Sequence, residues 1–235
     1  PIQKQVAATV AEAPARTSKV VSVIKSAGGA GATSLLGQLA VRFAKSQAAF
    51  GREACLIDLD LQFGDTAFQL GLRPNLSLVD LIEAGNGVDG AMVRSASTVL
   101  PGGLNVIASP PEMMPLDAIS SEQVIEIVEQ AEREFGTVFL DLPANWTNWS
   151  LSLLARSDLV LLVADLNLSS LNRARRQLDL IQAQDLGELD VRVVLNRYEK
   201  KLFNTIRPSA VRQALGREVA FTVADDPLVM HAAVD

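Results

Sequence analysis

Residues 26–34 form a run of small side chains, SAGGAGATS, that joins an apolar stretch to a segment with helical periodicity. Glycine lets the backbone approach a ligand closely, and the first turn of a helix offers unpaired N–H groups and a partial positive charge. Three glycines among four residues, followed by Thr33 and Ser34, favour a phosphate-binding loop over an ordinary strand-to-helix turn. We therefore expect a phosphate group to bind at this loop.

The loop lacks the cation that usually accompanies such a sequence. An ordinary phosphate-binding loop has a lysine directly before the Ser/Thr position, where the ammonium neutralises phosphate charge, and here that residue is Ala32. Lys25 is close in sequence, but it ends the preceding strand and is not expected to substitute. The alternative that the loop keeps its shape without binding a nucleotide therefore stays open.

Acidic residues end two of the apolar stretches. Residues 56–65 read LIDLDLQFGD, and strand alternation places Asp58 and Asp60 on the same side. Two carboxylates there suit Mg²⁺ and an attacking water, because Mg²⁺ prefers hard oxygen ligands and a carboxylate can orient or deprotonate water. Asp65 is better explained as a helix cap or turn residue. Residues 138–143, VFLDLP, close on Asp141 as a Walker B segment does.

Short apolar runs rich in β-branched residues alternate with longer segments of helical period. The predicted strands are 20–25, 54–58, 104–108, 137–141, 159–164, 191–196 and 220–223, and the predicted helices are 33–45, 120–134, 168–184 and 207–215. Several strands are apolar on both faces, as in a parallel sheet covered by helices. This order predicts an α/β fold with a doubly wound, mostly parallel sheet of about seven strands and helices on both faces. Ligands bind such sheets at the carboxyl ends of the strands.

Composition narrows the classes of protein that this chain can belong to. The 235 residues are 49% hydrophobic, which excludes disorder for the bulk of the chain, and the formal net charge of −6 argues against wholesale coating of nucleic acid. One cysteine and one histidine exclude an intrachain disulfide and a His/Cys transition-metal site. No apolar run reaches the roughly 18 to 20 residues that span a bilayer. We expect residues 1–18 to be a linker, 19–235 to be the folded domain with a truncated C-terminus, and the protein to be cytoplasmic.

The motifs GGxGxTS, DLDLQFGD, FLDLP and LNRY, in this order, resemble the MinD/ParA superfamily of deviant Walker A ATPases, which have a SIMIBI-class P-loop fold. The resemblance covers nearly all of the chain from Lys19 onward. DLDLQFGD together with GLNVIASPPE is most similar to the TadZ/CpaE branch, which positions the tight-adherence (Flp) pilus machinery at the cell pole and commonly carries an N-terminal receiver-like domain. The superfamily's loop reads KGGxGK[ST], and both of its lysines are alanine here, Ala27 and Ala32.

The resemblance implies a site for ATP and Mg²⁺. Its nucleotide-binding residues would be Gly28, Gly29, Ala30, Gly31, Ala32, Thr33 and Ser34 around the phosphates, and Asn196, Arg197, Asp226 and Pro227 near the adenine. Its metal residues would be Thr33, Asp58 and Asp141, and its catalytic residues would be Asp58 and Asp60, which position water for hydrolysis. The resemblance thus keeps the residues expected near the adenine and near Mg²⁺, while the two lysines expected near the phosphates are replaced by Ala27 and Ala32.

The missing lysines set the expected function. Loss of one electrostatic contact to the transition state typically costs about 10²–10³ in rate, so we expect weak nucleotide binding and weak or absent hydrolysis. The favoured function is that of a pilus-assembly and polar-localisation factor, found at the cell pole or at the inner face of the membrane. Its partners would be pilus secretion and assembly proteins, and a homodimer would need contacts other than a crossing lysine. The alternative is an active ParA/MinD-type ATPase that cycles on DNA or on a partner protein.

Residues 172–218 contain ten basic and six acidic side chains. A solvated helix face that exposes Arg173, Arg175 and Arg176 is favoured over a DNA-binding surface, although DNA or an acidic partner protein remains an alternative. Two tryptophans, Trp146 and Trp149, follow the Walker B segment. We expect at least one of them to lie in the core.

Overall fold

The computed structural model describes residues 18–198 and 208–225. The strands are β1 (Lys19–Lys25), β2 (Ala54–Asp58), β3 (Thr98–Val99), β4 (Leu104–Ile107), β5 (Thr137–Asp141), β6 (Leu159–Asp165), β7 (Val191–Tyr198) and β8 (Val219–Ala224). The helices are α1 (Ala32–Ala48), α2 (Thr66–Gln69), α3 (Leu78–Ala84), α4 (Gly90–Ala96), α5 (Ser121–Glu134), α6 (Asn148–Arg156), α7 (Leu168–Ala183) and α8 (Pro208–Leu215), and a 3₁₀ turn covers Gly85–Gly87.

The strands of this described part form one sheet in the order β3-β4-β2-β5-β1-β6-β7-β8. Every neighbouring pair is parallel except β3 and β4. Strand β1 lies between β5 and β6, and β2 lies on the other side of β5. The carboxyl ends of β1, β2 and β5 therefore meet at one edge of the sheet, where Asp58 stands directly beside Asp141 in the register.

Helices cover both faces of the sheet, which explains why its strands are apolar on both sides. Helix α1 packs one face through Leu36, Ala40 and Ala44. On the same side Phe43 meets Phe139 edge to face, with ring centroids 5.4 Å apart. Helices α3 to α8 cover the other face, where the aliphatic side chains of the strands form the larger of the two apolar clusters.

The predicted fold class is confirmed, and each of the seven predicted strands coincides with a strand of the structure to within two residues at either end. Strand β3 was not predicted because its two residues are too few to show a periodicity. Helices α2, α3, α4 and α6 were not predicted either. Each of them has nine residues or fewer, so each shows at most two and a half turns of pattern.

In the part of the chain that the structure describes, no helix is both long enough and apolar enough to cross a membrane. The predicted linker at 1–18 and the predicted truncation after residue 235 fall on residues outside that part, except for Ser18. Both stay predictions.

Candidate functional site

The glycine loop between β1 and α1 exposes its backbone at the carboxyl edge of the sheet. Gly29 and Gly31 have φ angles of 78° and 76°, a left-handed conformation that glycine adopts without strain. Gly31 is the N-cap residue of α1, and no side chain caps this end of the helix. Nothing lies within 4 Å of the place where a Cβ on Gly28 or Gly29 would be. The loop can therefore offer backbone N–H groups to an anion.

Asn196, near the end of β7, contacts the glycine loop through its side chain. Its side-chain Nδ2 donates a hydrogen bond of 2.8 Å to the carbonyl oxygen of Ala30. A Cβ added to Gly31 would lie only 2.4 Å from the same nitrogen, so the amide fills the space that glycine leaves. Arg197 follows in an irregular part of the β7–β8 pairing, with a positive φ of 51° and an exposed side chain. The predicted adenine contacts of Asn196 and Arg197 stay predictions.

Asp58 is fully buried at the end of β2 and holds both ends of the loop that follows. One carboxylate oxygen accepts a hydrogen bond of 3.1 Å from the N–H of Asp60, and the other accepts one of 3.0 Å from the N–H of Thr66. Burial, together with the neighbouring Asp141 carboxylate, raises the pKa of Asp58 to about 7. Since both oxygens already accept backbone hydrogen bonds, Asp58 is organised to shape this loop.

Asp60 lies beside Asp58 and is also buried. Its Oδ1 accepts hydrogen bonds from the backbone N–H groups of Gln62 and Phe63, at 3.4 Å and 3.2 Å. Asp65, expected to be a helix cap or turn residue, is the N-cap residue of α2, but its side chain makes no cap hydrogen bond, and Asp58 accepts from the first N–H of that helix instead. Asp65 therefore lies at the expected place before the helix, while the buried carboxylate of Asp58 supplies the hydrogen bond to Thr66.

Asp141 joins this carboxylate pair to α1. Its Oδ2 accepts a hydrogen bond of 2.6 Å from the hydroxyl of Thr33, while its buried Oδ1 accepts none. Burial raises the pKa of Asp141 above its ordinary value, although the ammonium of Lys25 opposes that change. Ser34, predicted to contact a phosphate, donates a 2.6 Å hydrogen bond to the side chain of Gln69 in α2.

Lys25 forms a cluster with the carboxylates of Asp58, Asp60 and Asp141. The Nζ of Lys25 lies 3.3 Å from Oδ2 of Asp60 and 3.4 Å from Oδ1 of Asp141, and its side chain is only 11% exposed. Burial disfavours the charged ammonium, but the surrounding carboxylates of Asp141, Asp60 and Asp58 outweigh that effect and raise the pKa of Lys25. Sequence reasoning set this lysine aside because it ends a strand. That position is what brings it to the carboxylates.

The residues predicted to hold Mg²⁺ lie together and fit the ion by donor type. Thr33 offers a hydroxyl and Asp58 and Asp141 offer carboxylates, which are the hard oxygen ligands that Mg²⁺ prefers. The buried Oδ1 of Asp141, which accepts no hydrogen bond, is a suitable ligand atom. The ammonium of Lys25 faces this same oxygen, so an incoming metal ion would have to displace it.

A cavity of about 740 Å³ opens beside the glycine loop. Its lining includes Ala27, Gly28, Trp146, Arg173, Arg176 and Gln177. The two arginines lie on the exposed face of α7, as expected, and that face also borders the loop. Gln177 donates a 2.9 Å hydrogen bond to the backbone oxygen of Lys25, and its own side-chain oxygen is buried without a hydrogen-bond partner. Positive charge thus lies next to Ala27, one of the two alanines.

Trp149 confirms the expectation that one tryptophan lies in the core. It is 3% exposed, and its Nε1 donates a hydrogen bond of 2.9 Å to the carbonyl oxygen of Leu116. Trp146 is half-buried in the cavity wall. The two remaining predicted nucleotide residues, Asp226 and Pro227, lie outside the described residues.

Comparison with known proteins places this chain in one protein family and relates it to a few curated proteins. A family model described as an AAA domain matches residues 18–187. The septum site-determining protein MinD of Synechocystis is 24% identical over 188 residues, which are 79% of this chain and 66% of that protein. MinD of Bacillus subtilis is 23% identical over 92% of this chain and 79% of its own length. This chain therefore spans about two thirds to four fifths of these curated relatives.

Solved structures share the fold. A ParA family ATPase from Chlorobium tepidum superposes with a TM-score of 0.82 at 22% identity, over 93% of this chain and 88% of that one. MinD from Pyrococcus horikoshii, solved as a complex with Mg-ADP, superposes with a TM-score of 0.73 at 18% identity, over 92% and 85%. MinD in the MinC:MinD complex of Aquifex aeolicus gives a TM-score of 0.73 at 20% identity, over 92% and 86%.

Proposed function

Since this chain belongs to the AAA domain family and has the fold of MinD and ParA proteins, we propose that it binds a nucleoside triphosphate at the glycine loop and hydrolyses it very slowly or not at all. The observation that carries the proposal is the contrast within the loop. The Thr33–Asp141 hydrogen bond and the open glycine backbone are in place, while Ala27 and Ala32 stand where cations would be.

The carboxylates support slow hydrolysis. A general base must have a free oxygen within hydrogen-bond reach of the attacking water. Both oxygens of Asp58 accept backbone hydrogen bonds, and the Oδ2 of Asp60 faces the ammonium of Lys25. If Mg²⁺ binds, Thr33 and Asp141 would hold it, and its charge would neutralise phosphate oxygens. The chain's own residues meanwhile orient the loop and bury the carboxylates of Asp58, Asp60 and Asp141.

Calorimetric titration with ATP, with and without Mg²⁺, tests the binding. We expect weak binding by the unmodified chain and binding about tenfold tighter or more by Ala32→Lys, because a charge-assisted contact contributes roughly 1.5–3 kcal/mol. Ala48→Lys is the matched control, since it adds the same charge to the exposed far end of the same helix. Absence of binding by the unmodified chain would contradict the proposal, even if Ala32→Lys binds, provided that circular dichroism shows both to be folded.

Hydrolysis separates this proposal from an actively cycling ATPase. We expect a turnover about 10²–10³ lower than that of an enzyme with a complete set of cationic contacts. A turnover of about 1 s⁻¹, the low end for typical enzymes, would favour the alternative of a ParA/MinD-type ATPase that cycles on DNA or on a partner.

We further propose that the protein acts as an assembly and polar-localisation factor of a tight-adherence pilus, as the TadZ/CpaE-like motifs suggest. DLDLQFGD and GLNVIASPPE are the residues that support this part of the proposal. The test is deletion of the gene in the source organism, with surface pili counted by electron microscopy and a fluorescent fusion located in the cell. Loss of pili together with a polar focus is expected. Normal piliation in the deletion strain would contradict the proposal.

We also propose a homodimer, which the resemblance to the MinD/ParA superfamily suggests. Because Ala27 cannot supply a crossing cation, we expect the association to be independent of nucleotide. Light scattering after size-exclusion chromatography, with and without ATP, measures this. A dimer that forms only with ATP would contradict the expected independence.

A further inference from the structure

The ammonium of Lys25 lies among three carboxylates at the edge of the sheet. It is 3.3 Å from Asp60 and 3.4 Å from Asp141, and only 11% of its side chain is exposed. A buried lysine is costly unless its charge is paired, and a buried carboxylate carries the same requirement. The lysine and the carboxylates therefore stabilise each other at this position.

Two carboxylate oxygens of the cluster accept no hydrogen bond from the backbone or from Thr33. Of the six oxygens of Asp58, Asp60 and Asp141, four accept hydrogen bonds from backbone N–H groups or from Thr33. The other two are Oδ2 of Asp60 and Oδ1 of Asp141, and both face the ammonium of Lys25. One monovalent cation thus contacts all the carboxylate oxygens that the loop and helix α1 leave without a donor.

The backbone holds the lysine at this place. Lys25 is the last residue of β1, where its neighbouring strand β6 pairs it with Val163. The side chain of Gln177, from α7, donates a 2.9 Å hydrogen bond to the Lys25 carbonyl oxygen. A divalent ion brought to the same two oxygens would be repelled by the ammonium that already contacts them, so its binding there is disfavoured while Lys25 stays in place.

We propose that Lys25 is the resident cation of this cluster and takes the place that a divalent metal ion would fill, so that the site binds nucleotide without requiring Mg²⁺. The nucleotide part of this inference rests on the proposed function. The occupation of the cluster by Lys25 does not, and it is tested separately.

Thermal unfolding of the full chain tests the cluster without any nucleotide. We expect MgCl₂ in place of EDTA to leave the Tm of the unmodified chain unchanged. Lys25→Met removes the charge and keeps the length of the side chain, so this variant should have a lower Tm in EDTA and regain stability with MgCl₂. Lys19→Met is the matched control, because Lys19 lies on the same strand and pairs with Asp158 while 66% of its side chain is exposed. An unmodified chain that Mg²⁺ stabilises as much as it stabilises Lys25→Met would overturn the inference.

ATP titration in EDTA and in MgCl₂ tests the second part. The unmodified chain should bind ATP with similar affinity in both, whereas Lys25→Met should bind about tenfold or more weakly in EDTA than in MgCl₂, because in EDTA neither an ammonium nor a metal ion then balances the three carboxylates beside helix α1. If Lys25→Met does not fold, Lys25→Arg is used instead. It keeps the charge, so its ATP affinity should be the same in EDTA and in MgCl₂, as for the unmodified chain. ATP binding that requires Mg²⁺ in the unmodified chain would overturn the inference and leave the proposed function standing. Absence of binding in both buffers would overturn the proposed function and with it the nucleotide part of this inference, while the unfolding experiment would still decide whether Lys25 fills the cluster.

Discussion

The side-chain amide of Asn196 donates a hydrogen bond of 2.8 Å to the carbonyl oxygen of Ala30, and so ties the end of β7 to the middle of the glycine loop. The two residues are far apart in sequence and lie on different elements. Their contact fixes the position of the loop relative to the sheet. The shape of the loop therefore depends on strand packing as well as on its own glycines.

Replacing Gly31 tests this support. Gly31→Ala places a Cβ 2.4 Å from Nδ2 of Asn196 at a φ of 76°, so we expect it to lower the free energy of unfolding by about 2–4 kcal/mol through strain and a lost hydrogen bond. Gly29→Ala is the matched control, because Gly29 has a φ of 78° and open space around it. It should cost only about 1–2 kcal/mol. Equal losses in urea denaturation would show that Asn196 does not constrain the loop.

Stability should depend on pH through Asp58. Its pKa of about 7 in the folded chain lies above the ordinary value of 3.8, so the native state binds a proton between these values that the unfolded state releases. The free energy of unfolding should therefore fall as pH rises from about 4 to about 7, by an amount on the order of 3 kcal/mol. Urea denaturation across this range measures the slope.

Asp58→Asn should reduce that slope, because the amide does not titrate; Asp141, whose pKa burial also raises, should account for what is left. Asp65→Asn is the control in the same loop, since Asp65 is exposed and its carboxylate accepts only from the side chain of Gln69 among the described residues. It should leave the slope unchanged. An unaltered slope in Asp58→Asn would assign the pH dependence to other groups.

The arginines of the cavity should contribute to anion binding. Arg173 and Arg176 line the same cavity as Ala27, so the double variant Arg173→Gln, Arg176→Gln should weaken ATP binding by about tenfold. Arg175→Gln is the control on the same helix, because Arg175 pairs with Asp179 and is absent from the cavity lining. Calorimetry gives both values. Equal affinities for the double variant and the control would exclude a role for the cavity arginines.

A buried ion pair stabilises the helical layer away from the site. Arg156 in α6 contacts Glu129 and Glu132 of α5 at 2.8 Å and 2.7 Å, and the Glu132 side chain is only 6% exposed. Arg156→Met removes two charge-assisted hydrogen bonds, one of them to a buried carboxylate, so it should cost about 1.5–3 kcal/mol of stability. Arg175→Met breaks an exposed pair and should cost about 0.5 kcal/mol or less. Similar losses in the two variants would contradict the role of burial.

The parallel strands could be predicted because both of their faces are buried. A run such as DLVLLVA at 158–164 has no polar alternation, and this pattern is typical of a strand covered on both sides. Among the short helices between β2 and β4, α3 begins with a capping signal that the sequence contains. Ser77 and Asp80 form a capping box at the start of α3, three residues apart, and that spacing is visible in the sequence.

The carboxylates and the glycine loop were predictable because each ends a strand or begins a helix. The role of Lys25 was not, because it depends on strand order: β1 lies next to β5, and this brings Lys25 to Asp141. The cavity arginines depend likewise on how α7 crosses the sheet. Sequence spacing carries no information about which strands become neighbours, so these contacts needed the three-dimensional structure.

The two tryptophans give the chain a built-in optical probe. Trp149 is shielded from solvent and held by Leu116, so its emission should stay constant when the cavity changes. Trp146 borders the glycine loop and is partly open to water, so its emission should respond to whatever enters there. Because the chain has two tryptophans in all, the difference between its spectrum and that of Trp146→Phe isolates the responsive one. The cavity can thus be followed in real time without attaching a dye.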